Sequence, residues 1–213
     1  KPGADTCLSF SEIDRSLIDE ASVFHFGTLS LTDEPSRSAT RQAVDYARSK
    51  GKLVTYDPNL RLPLWKSAAE AKEQLLWGLG QADVVKISEE EVHFLFGFGA
   101  KDGAAYICEN FPVKLVFVTC GADGCYFRNA RAAGWEAALP GLQVVDTTGA
   151  GDIFGGSAVW KLLQCGAVPE ELDEAALRNI VSFANAAAGL STTRPGGISS
   201  IPEYEDVLQA INK

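Results

Sequence analysis

Short apolar runs alternate with longer amphipathic stretches along the 213-residue chain. Four runs rich in Val, Ile, Leu and Phe predict buried strands, at 23–27, 53–56, 82–87 and 113–119. Apolar positions that recur every three to four residues predict helices at 11–20, 34–50, 68–79, 101–110, 170–190 and 203–212. Strands that alternate with helices indicate a parallel sheet covered on both faces. The pattern therefore predicts a single α/β domain over residues 1–213.

One glycine-containing stretch, Asp146–Phe154 (DTTGAGDIF), lies between two different periodicities. Residues 142–145 before it predict a short apolar strand, and apolar residues at every fourth position from Phe154 to Leu162 predict a helix after it. Gly149 and Gly151 suit a tight turn between the two elements. The free N–H groups at the start of that helix, at the positive end of its dipole, predict an anion-binding site.

Asp152 is placed in the first turn of this helix, and two interpretations of it remain open. An acid there is favoured by the helix dipole alone, by roughly 0.3–1 kcal/mol. Two glycines and two threonines directly upstream favour an anion-binding loop with a functional carboxylate. A dinucleotide fingerprint would need glycine where Phe154 stands, and a phosphate loop of the G-x-x-x-x-G-K-[ST] type would need lysine where Ser157 stands.

The stretch Asp146–Phe154 resembles the C-terminal signature D-T-x-G-A-G-D-x-F of the PfkB-type sugar kinases, the ribokinase-like family. The resemblance implies a ribokinase-like three-layer α/β/α sandwich with a mostly parallel central sheet. It also implies that Asp152 contacts the sugar as its general base, and that Gly149, Ala150 and Gly151 form the anion hole for the transferred phosphoryl group. These roles agree with phosphoryl transfer, which needs positioning and donors aimed at developing negative charge.

Two further segments, 24–31 (FHFGTLSL) and 57–65 (DPNLRLPLW), are similar to the fructokinase branch of this family. A strand that ends in Asp-Pro-Asn is ordinary turn chemistry, but loops at the carboxyl ends of parallel strands also bind ligands. The resemblance implies that Asn59 and Arg61 face the sugar or the phosphoryl group, although surface arginines are common. His25 is predicted to be a structural residue rather than a base.

Other positions match family residues near the nucleotide and Mg²⁺, and each has a structural alternative. Residues 88–91 predict the start of another helix, because Ser88 and Glu91 fit a capping box. Glu91 also matches the acid of the family motif Asn-x-x-Glu that holds hydrated Mg²⁺, whereas Ser88 departs from its asparagine. The turn 119–124 predicts a hairpin, and Asn185 suits helix packing. By resemblance, the nucleotide contacts come from Ser88, Thr119, Gly121, Asp123, Gly124, Gly149, Gly151 and Asn185.

Ribokinase relatives hold a monovalent cation such as K⁺ beside the loop that corresponds here to residues 191–200. Backbone carbonyls supply much of such a site and leave no side-chain signature, so the assignment rests on the resemblance alone. It implies that the cation is surrounded by Asp146, Thr148, Ser191, Arg194, Gly196 and Ser200.

The composition limits the function classes. A net charge of −9 argues against a nucleic-acid-binding surface, so an anionic nucleotide must be met by local donors and a cation. The five cysteines are scattered without a C-x-x-C pair, which argues against zinc or a disulfide framework. No apolar run reaches membrane length. We expect a cytoplasmic protein with no membrane partner.

The sequence predicts ATP-dependent phosphorylation of a sugar, with D-fructose to fructose 6-phosphate as the first hypothesis. The alternatives are another PfkB-type kinase, for 2-keto-3-deoxygluconate, ribose or a nucleoside, and a non-catalytic binding scaffold of the same fold. An intact Asp152 and glycine loop argue against the scaffold, because a binding-only protein has no need of a base. A Ser–His–Asp hydrolase has little support, since there are two histidines and no G-x-S-x-G.

The resemblance covers the whole chain but only the C-terminal portion of an intact family member. We therefore expect that an N-terminal region, with a small β lid and most of the sugar contacts, is missing from this sequence, which also contains no methionine. Homodimerisation through that lid is a further expectation from the resemblance.

Overall fold

The computed structural model describes residues 3–212. Within them, the strands form one sheet whose spatial order follows the chain order. The strands are β1 Val23–Gly27, β2 Leu53–Asp57, β3 Val84–Ser88, β4 Leu115–Thr119, β5 Cys125–Asn129 and β6 Ala133–Glu136. The pairs from β1 to β4 are parallel, and the pairs β4–β5 and β5–β6 are antiparallel. The prediction of a mostly parallel sheet is confirmed.

Helices cover both faces of this sheet. They are α1 Arg15–Glu20, α2 Ser36–Ser49, α3 Ala68–Leu79, α4 Glu89–Phe96, α5 Ala100–Asn110, α6 Ala150–Cys165, α7 Glu174–Ser191 and α8 Tyr204–Ile211. Helices α2 to α5 share one apolar core with the sheet, whereas α6 and α7 share a second core with its opposite face. This arrangement confirms the predicted three-layer α/β/α sandwich.

Strand β4 shows why the central strands have continuous apolar sequences. Val116 and Val118 belong to the core under α2 to α5, while Leu115 and Phe117 belong to the core under α6 and α7. Successive side chains of a strand point to opposite faces, so a sheet that is covered on both sides needs apolar residues at every position. All four of these side chains are at most 1% exposed.

The predicted strand at 142–145 is wrong. These residues form no strand in the structure, and Val144 and Val145 are each 62% exposed. The backbone N–H groups of Val145 and Asp146 both donate to the carbonyl oxygen of Thr192, at 2.7 and 3.1 Å. The segment is thus bound to the end of α7 rather than to the sheet, and its apolar residues form part of a cavity wall.

Several elements also differ from the predicted bounds, among them the helices predicted at 11–20 and 170–190, which begin at Arg15 and Glu174. Helix α7 begins at Glu174 rather than at 170, because the Asp173 carboxylate caps it by accepting a hydrogen bond from the N–H of Ala176 at 2.8 Å. No element was predicted for residues 128–141, where the structure has the short edge strand β6.

The carboxyl ends of the parallel strands meet at one edge of the sheet, at Gly27, Asp57, Ser88 and Thr119. The amino end of α6 lies at the same edge. Gly151 is close to Lys86 of β3, and Asp152 lines a cavity with Gly27 and Asp57. This is the edge at which parallel α/β sheets bind ligands.

Candidate active site

The amino end of α6 provides an anion-binding turn. Gly149 caps the helix with φ of 80°, a left-handed conformation that favours glycine. Within the described residues, the N–H groups of Gly151 and Asp152 make no hydrogen bond, whereas the next N–H, of Ile153, donates to Gly149. Free N–H groups at the positive end of a 16-residue helix suit a phosphate.

Asp152 stands between two cavities at this edge. Its exposed side chain lines a cavity of about 270 Å³ with residues from the ends of β1 and β2, including His25, Asp57 and Asn59. It also lines a more apolar cavity of about 430 Å³ along α6, beside Gly149 and Trp160. The structure therefore brings together Asp152 and Asn59, two of the predicted substrate-binding residues.

Arg61, the third predicted substrate-binding residue, lies elsewhere. Its exposed guanidinium donates to the carbonyl oxygen of the neighbouring Leu60 at 3.1 Å. In residues 3–212 it is absent from the lining of the cavities that contain Asp152. The structure does not place Arg61 with Asn59 and Asp152.

His25 has a structural hydrogen bond, as the sequence predicted. Its Nδ1 lies 2.9 Å from the hydroxyl oxygen of Thr55 on the neighbouring strand. Removal from water lowers the pKa of His25, an effect that the Asp152 carboxylate partly opposes. A neutral imidazole on the sheet edge therefore faces the same cavity as Asp152.

A larger cavity, of about 470 Å³, lies on the other side of the α6 turn. Residues 138–142 and Val144 contribute apolar lining, and Thr119 at the end of β4 and the small residues of the β4–β5 turn also line the cavity. Ser88, Asp123 and Gly149 are not part of its lining among the described residues. The predicted nucleotide contacts that line the cavity are Thr119, Gly121, Gly124, Gly151 and Asn185.

Asn185 combines a packing contact with its place on this cavity. Its side-chain amide donates to the carbonyl oxygens of Glu136 and Ala137, each at 3.0 Å, and the residue is 7% exposed. These bonds attach α7 to the end of β6. The alternative of a helix-packing residue is thus supported, and Asn185 still lines the cavity that contains the other predicted nucleotide contacts.

Ser88 and Glu91 form the predicted capping box at the start of α4. The Ser88 hydroxyl accepts from the N–H of Glu91 at 3.2 Å, and Glu91 Oε2 accepts from the N–H of Ser88 at 2.8 Å. The second oxygen, Oε1, accepts from the N–H of Leu60 at 2.6 Å. Glu91 therefore joins α4 to the loop after β2, while each oxygen keeps a lone pair for a bound water.

We expect a Glu91→Gln variant to lose about 1–3 kcal/mol of unfolding free energy, because an amide –NH₂ would face a buried backbone N–H. Urea unfolding followed by fluorescence measures this loss. Glu90→Gln is the matched control, since Glu90 lies exposed in the same first turn and should change stability by less than about 0.5 kcal/mol. Equal losses in the two variants would show that the two buried hydrogen bonds contribute nothing beyond the helix dipole.

The residues predicted around a monovalent cation are only partly brought together. Asp146 Oδ1 accepts from the N–H of Thr148 at 2.9 Å, and Oδ2 accepts from the N–H of Gly196 at 2.8 Å. Hydrogen bonding to the Thr148 side chain, followed by the two backbone N–H bonds, lowers the pKa of Asp146. The hydroxyls of Ser191 and Ser200 donate to carbonyls of their own turns, and Arg194 lines a separate cavity near α8.

No group of three or more His, Cys, Asp and Glu side chains suited to hold a metal ion is found in the described part of the chain. Mg²⁺ usually keeps several waters and binds through one or two carboxylates together with substrate phosphates. The separate carboxylates at this edge fit that mode of binding. Among residues 3–212, no helix has the length and apolar character needed to cross a membrane.

Lys86, for which no role was predicted from the sequence, lies between Asp57 at the end of β2 and the amino end of α6. Its Nζ is 3.0 Å from Asp57 Oδ2, and a Cβ at Gly151 would lie 3.0 Å from the same nitrogen. Burial raises the pKa of Asp57 to about 6, with Lys86 opposing this shift and Glu91 and Asp152 adding to it. The available signal was one lysine inside the otherwise apolar strand Val84–Ser88.

Comparisons with known proteins agree with this geometry. Fructokinase-1 of Zea mays is 41% identical over 216 residues, which cover 100% of this chain and 65% of the maize protein. The chain thus spans less than two thirds of the length of that curated relative.

Solved structures show the same relationship. The fructokinase of Vibrio cholerae O395, in fructose, ADP and calcium ion bound form, matches with a TM-score of 0.84 and 30% identity over 99% of this chain and 67% of that chain. The aminoimidazole riboside kinase of Salmonella enterica, complexed with aminoimidazole riboside and an ATP analog, matches with a TM-score of 0.83 and 28% identity over 100% of this chain and 69% of that chain.

The family model described as pfkB family carbohydrate kinase matches residues 1–204. This match covers nearly the whole chain, including the α6 turn, both cavities at the sheet edge and the Lys86–Asp57 pair. The chain belongs to the pfkB family of carbohydrate kinases.

Proposed function

We propose that this protein transfers the terminal phosphoryl group of ATP to a sugar hydroxyl, with D-fructose to fructose 6-phosphate as the preferred reaction. One observation carries the proposal. Gly151, whose N–H is free, lines the cavity on the β4–β5 side, and the next residue, Asp152, lines the polar cavity on the β1–β2 side. A phosphoryl donor and a hydroxyl acceptor bound in these two cavities would meet at the amino end of α6.

Asp152 acts as the general base in this proposal. Its carboxylate takes the proton of the attacking hydroxyl as the sugar oxygen forms a bond to the terminal phosphorus and the bond from that phosphorus to the bridging oxygen breaks. ADP is the leaving group. A positioned base of this kind contributes roughly 10²–10⁴-fold to a rate.

The turn Gly149-Ala150-Gly151 acts as the anion hole. The free N–H groups of Gly151 and Asp152 are fixed by the helix, so they need no reorganisation when negative charge develops on the phosphoryl oxygens. Thr119, Gly121, Gly124 and Asn185 line the nucleotide cavity in this proposal. The apolar wall at 138–144 suits the flat face of a nucleobase.

Mg²⁺ is the proposed divalent cation, and when bound it would neutralise charge on the phosphates. Glu91 would hold it through water, since both of its oxygens already accept backbone N–H groups. For a monovalent ion such as K⁺, the contact between the loops at Asp146–Thr148 and Gly196 is the proposed location.

Fructose is proposed as the acceptor because the Zea mays and Vibrio cholerae relatives carry that name, while the Salmonella enterica relative acts on a riboside. The test is sugar-dependent ADP formation by the purified protein with ATP and Mg²⁺. The panel contains fructose, ribose, 2-keto-3-deoxygluconate and a nucleoside. We expect fructose to give the highest kcat/KM. Preference for another sugar would replace the acceptor but keep the reaction, and ATP binding without turnover on any sugar would favour a binding scaffold.

Homodimerisation and a cytoplasmic location stay predictions.

A further inference from the structure

Lys86 and Asp57 form a buried ion pair at the carboxyl edge of the sheet. They lie on the neighbouring parallel strands β3 and β2, and their side chains are 13% and 7% exposed. Burying two charges is costly unless other groups also bind them. Lys86 Nζ has three hydrogens to donate but makes one hydrogen bond in residues 3–212, to Asp57 Oδ2.

The ammonium group of Lys86 lies against the positive end of α6. A Cβ at Gly151 would be 3.0 Å from Nζ, so the ammonium group lies close beside the second residue of the helix. A cation at a helix amino end opposes the dipole, and negative charge is favoured there. An anion at this point would accept hydrogen bonds both from the free helix N–H groups and from Lys86.

Asp57 is only half satisfied by this pair. Its Oδ1 is buried and has no hydrogen-bond partner, although the residue is 5% exposed and lines the cavity that contains Asp152 and Asn59. Buried carboxylate oxygens without partners are uncommon, because their desolvation is uncompensated. The pair therefore has unused donors on the lysine and an unused acceptor on the aspartate, at the boundary of the two proposed ligands.

We propose that Lys86 contacts the terminal phosphoryl group of the bound nucleoside triphosphate, and that Asp57 is the positioning residue that holds the ammonium group against Gly151. This inference rests on the proposed function. In a chain with a net charge of −9, an anionic nucleotide needs a local positive charge, and the proposal identifies the Lys86 ammonium group as that charge. Because Lys86 reaches the amino end of α6, it serves the terminal phosphate and not the base or ribose.

The test compares nucleotide binding to Lys86→Met and wild-type protein in the presence of Mg²⁺. A non-hydrolysable ATP analogue and ADP are titrated separately by calorimetry. We expect Lys86→Met to weaken analogue binding about 10–100-fold, the range for a lost charge-assisted hydrogen bond, and ADP binding by less than about 3-fold. This readout depends on neither sugar nor turnover. Loss of a lysine with a purely structural role would change the affinities for the analogue and for ADP by the same factor.

Lys114→Met is the matched control. Lys114 precedes β4 at the opposite edge of the sheet and pairs with Asp83 at 3.3 Å, so its loss should leave both affinities unchanged. The double variant Lys86→Met/Asp57→Asn removes the charge that the single change would leave buried, and it gives the same comparison if Lys86→Met fails to fold.

The outcomes separate the two proposals. A selective loss of analogue affinity supports the inference. Equal effects on the analogue and ADP, or none, would overturn the role of Lys86 while the proposed kinase function stands. Failure of the wild-type protein to bind either nucleotide would overturn the proposed function and this inference with it.

Discussion

An Asp152→Asn variant should lose at least about 10²-fold in kcat for sugar-dependent ADP formation, the low end for a general base. The asparagine keeps the size of the side chain but cannot take the hydroxyl proton. The nucleotide cavity lies on the other side of the α6 turn, so the affinity for ATP should change by less than about 3-fold. Steady-state kinetics and calorimetric titration of ATP measure the two effects.

The control for this variant is Asp102→Asn. Asp102 is an exposed acid in the first turn of α5, so its loss removes the same favourable interaction with a helix dipole, roughly 0.3–1 kcal/mol, without touching the site. If Asp152→Asn kept its kcat and differed from wild type only as Asp102→Asn does, Asp152 would be a helix-start residue and not a base.

A Gly124→Ala variant should lose roughly 2–5 kcal/mol of unfolding free energy. Gly124 has φ of 113°, in a region that only glycine adopts readily. A Cβ there would lie 2.2 Å from the carbonyl oxygen of Glu136 and 2.7 Å from the nitrogen of Ala138. Both contacts are with backbone, so the pairing of β5 with β6 must shift, and crowding adds to the backbone strain. Urea unfolding measures the loss.

Gly121→Ala in the same turn provides the comparison. Gly121 also has a positive φ, of 55°, but no atom lies within 4 Å of its added Cβ. Its expected cost is therefore the left-handed backbone alone, about 1–2 kcal/mol. Equal losses for the two alanine variants would show that close backbone approach at Gly124 has no effect. If Gly124→Ala also weakens ATP binding more than Gly121→Ala does, the turn shapes the nucleotide cavity.

The sequence predicted those parts of the fold that depend on local patterns. Strand β4 was predicted because both of its faces are buried, and α4 because Ser88 and Glu91 cap it within one turn. The strand predicted at 142–145 was wrong because apolar residues that line a cavity have the same sequence pattern as a strand. Hydrophobicity alone does not distinguish the two environments.

In the site, too, features that depend on a local motif could be predicted, whereas contacts between distant parts of the chain could not. The α6 turn is contained in one short motif, so its geometry could be predicted without knowledge of the rest of the chain. Lys86 meets Gly151 only because β3 and α6 are brought to the same edge by the fold. Glu91 was recognised as a cap, but its bond to Leu60 depends on how the loop after β2 packs. Contacts of this kind follow from topology and not from residue spacing.

The division of the site between separate strand ends has a consequence for how such a protein changes its acceptor in evolution. The residues proposed to bind the nucleotide and transfer its phosphoryl group lie on β3, β4, the β4–β5 turn, α6, α7 and the last position of β2, whereas the cavity beside Asp152 is completed by loops after β1 and β2. Loops tolerate substitution and insertion better than the elements that they connect. If the proposed function is right, we expect mutations in those two loops to change the acceptor without altering the residues proposed for phosphoryl transfer.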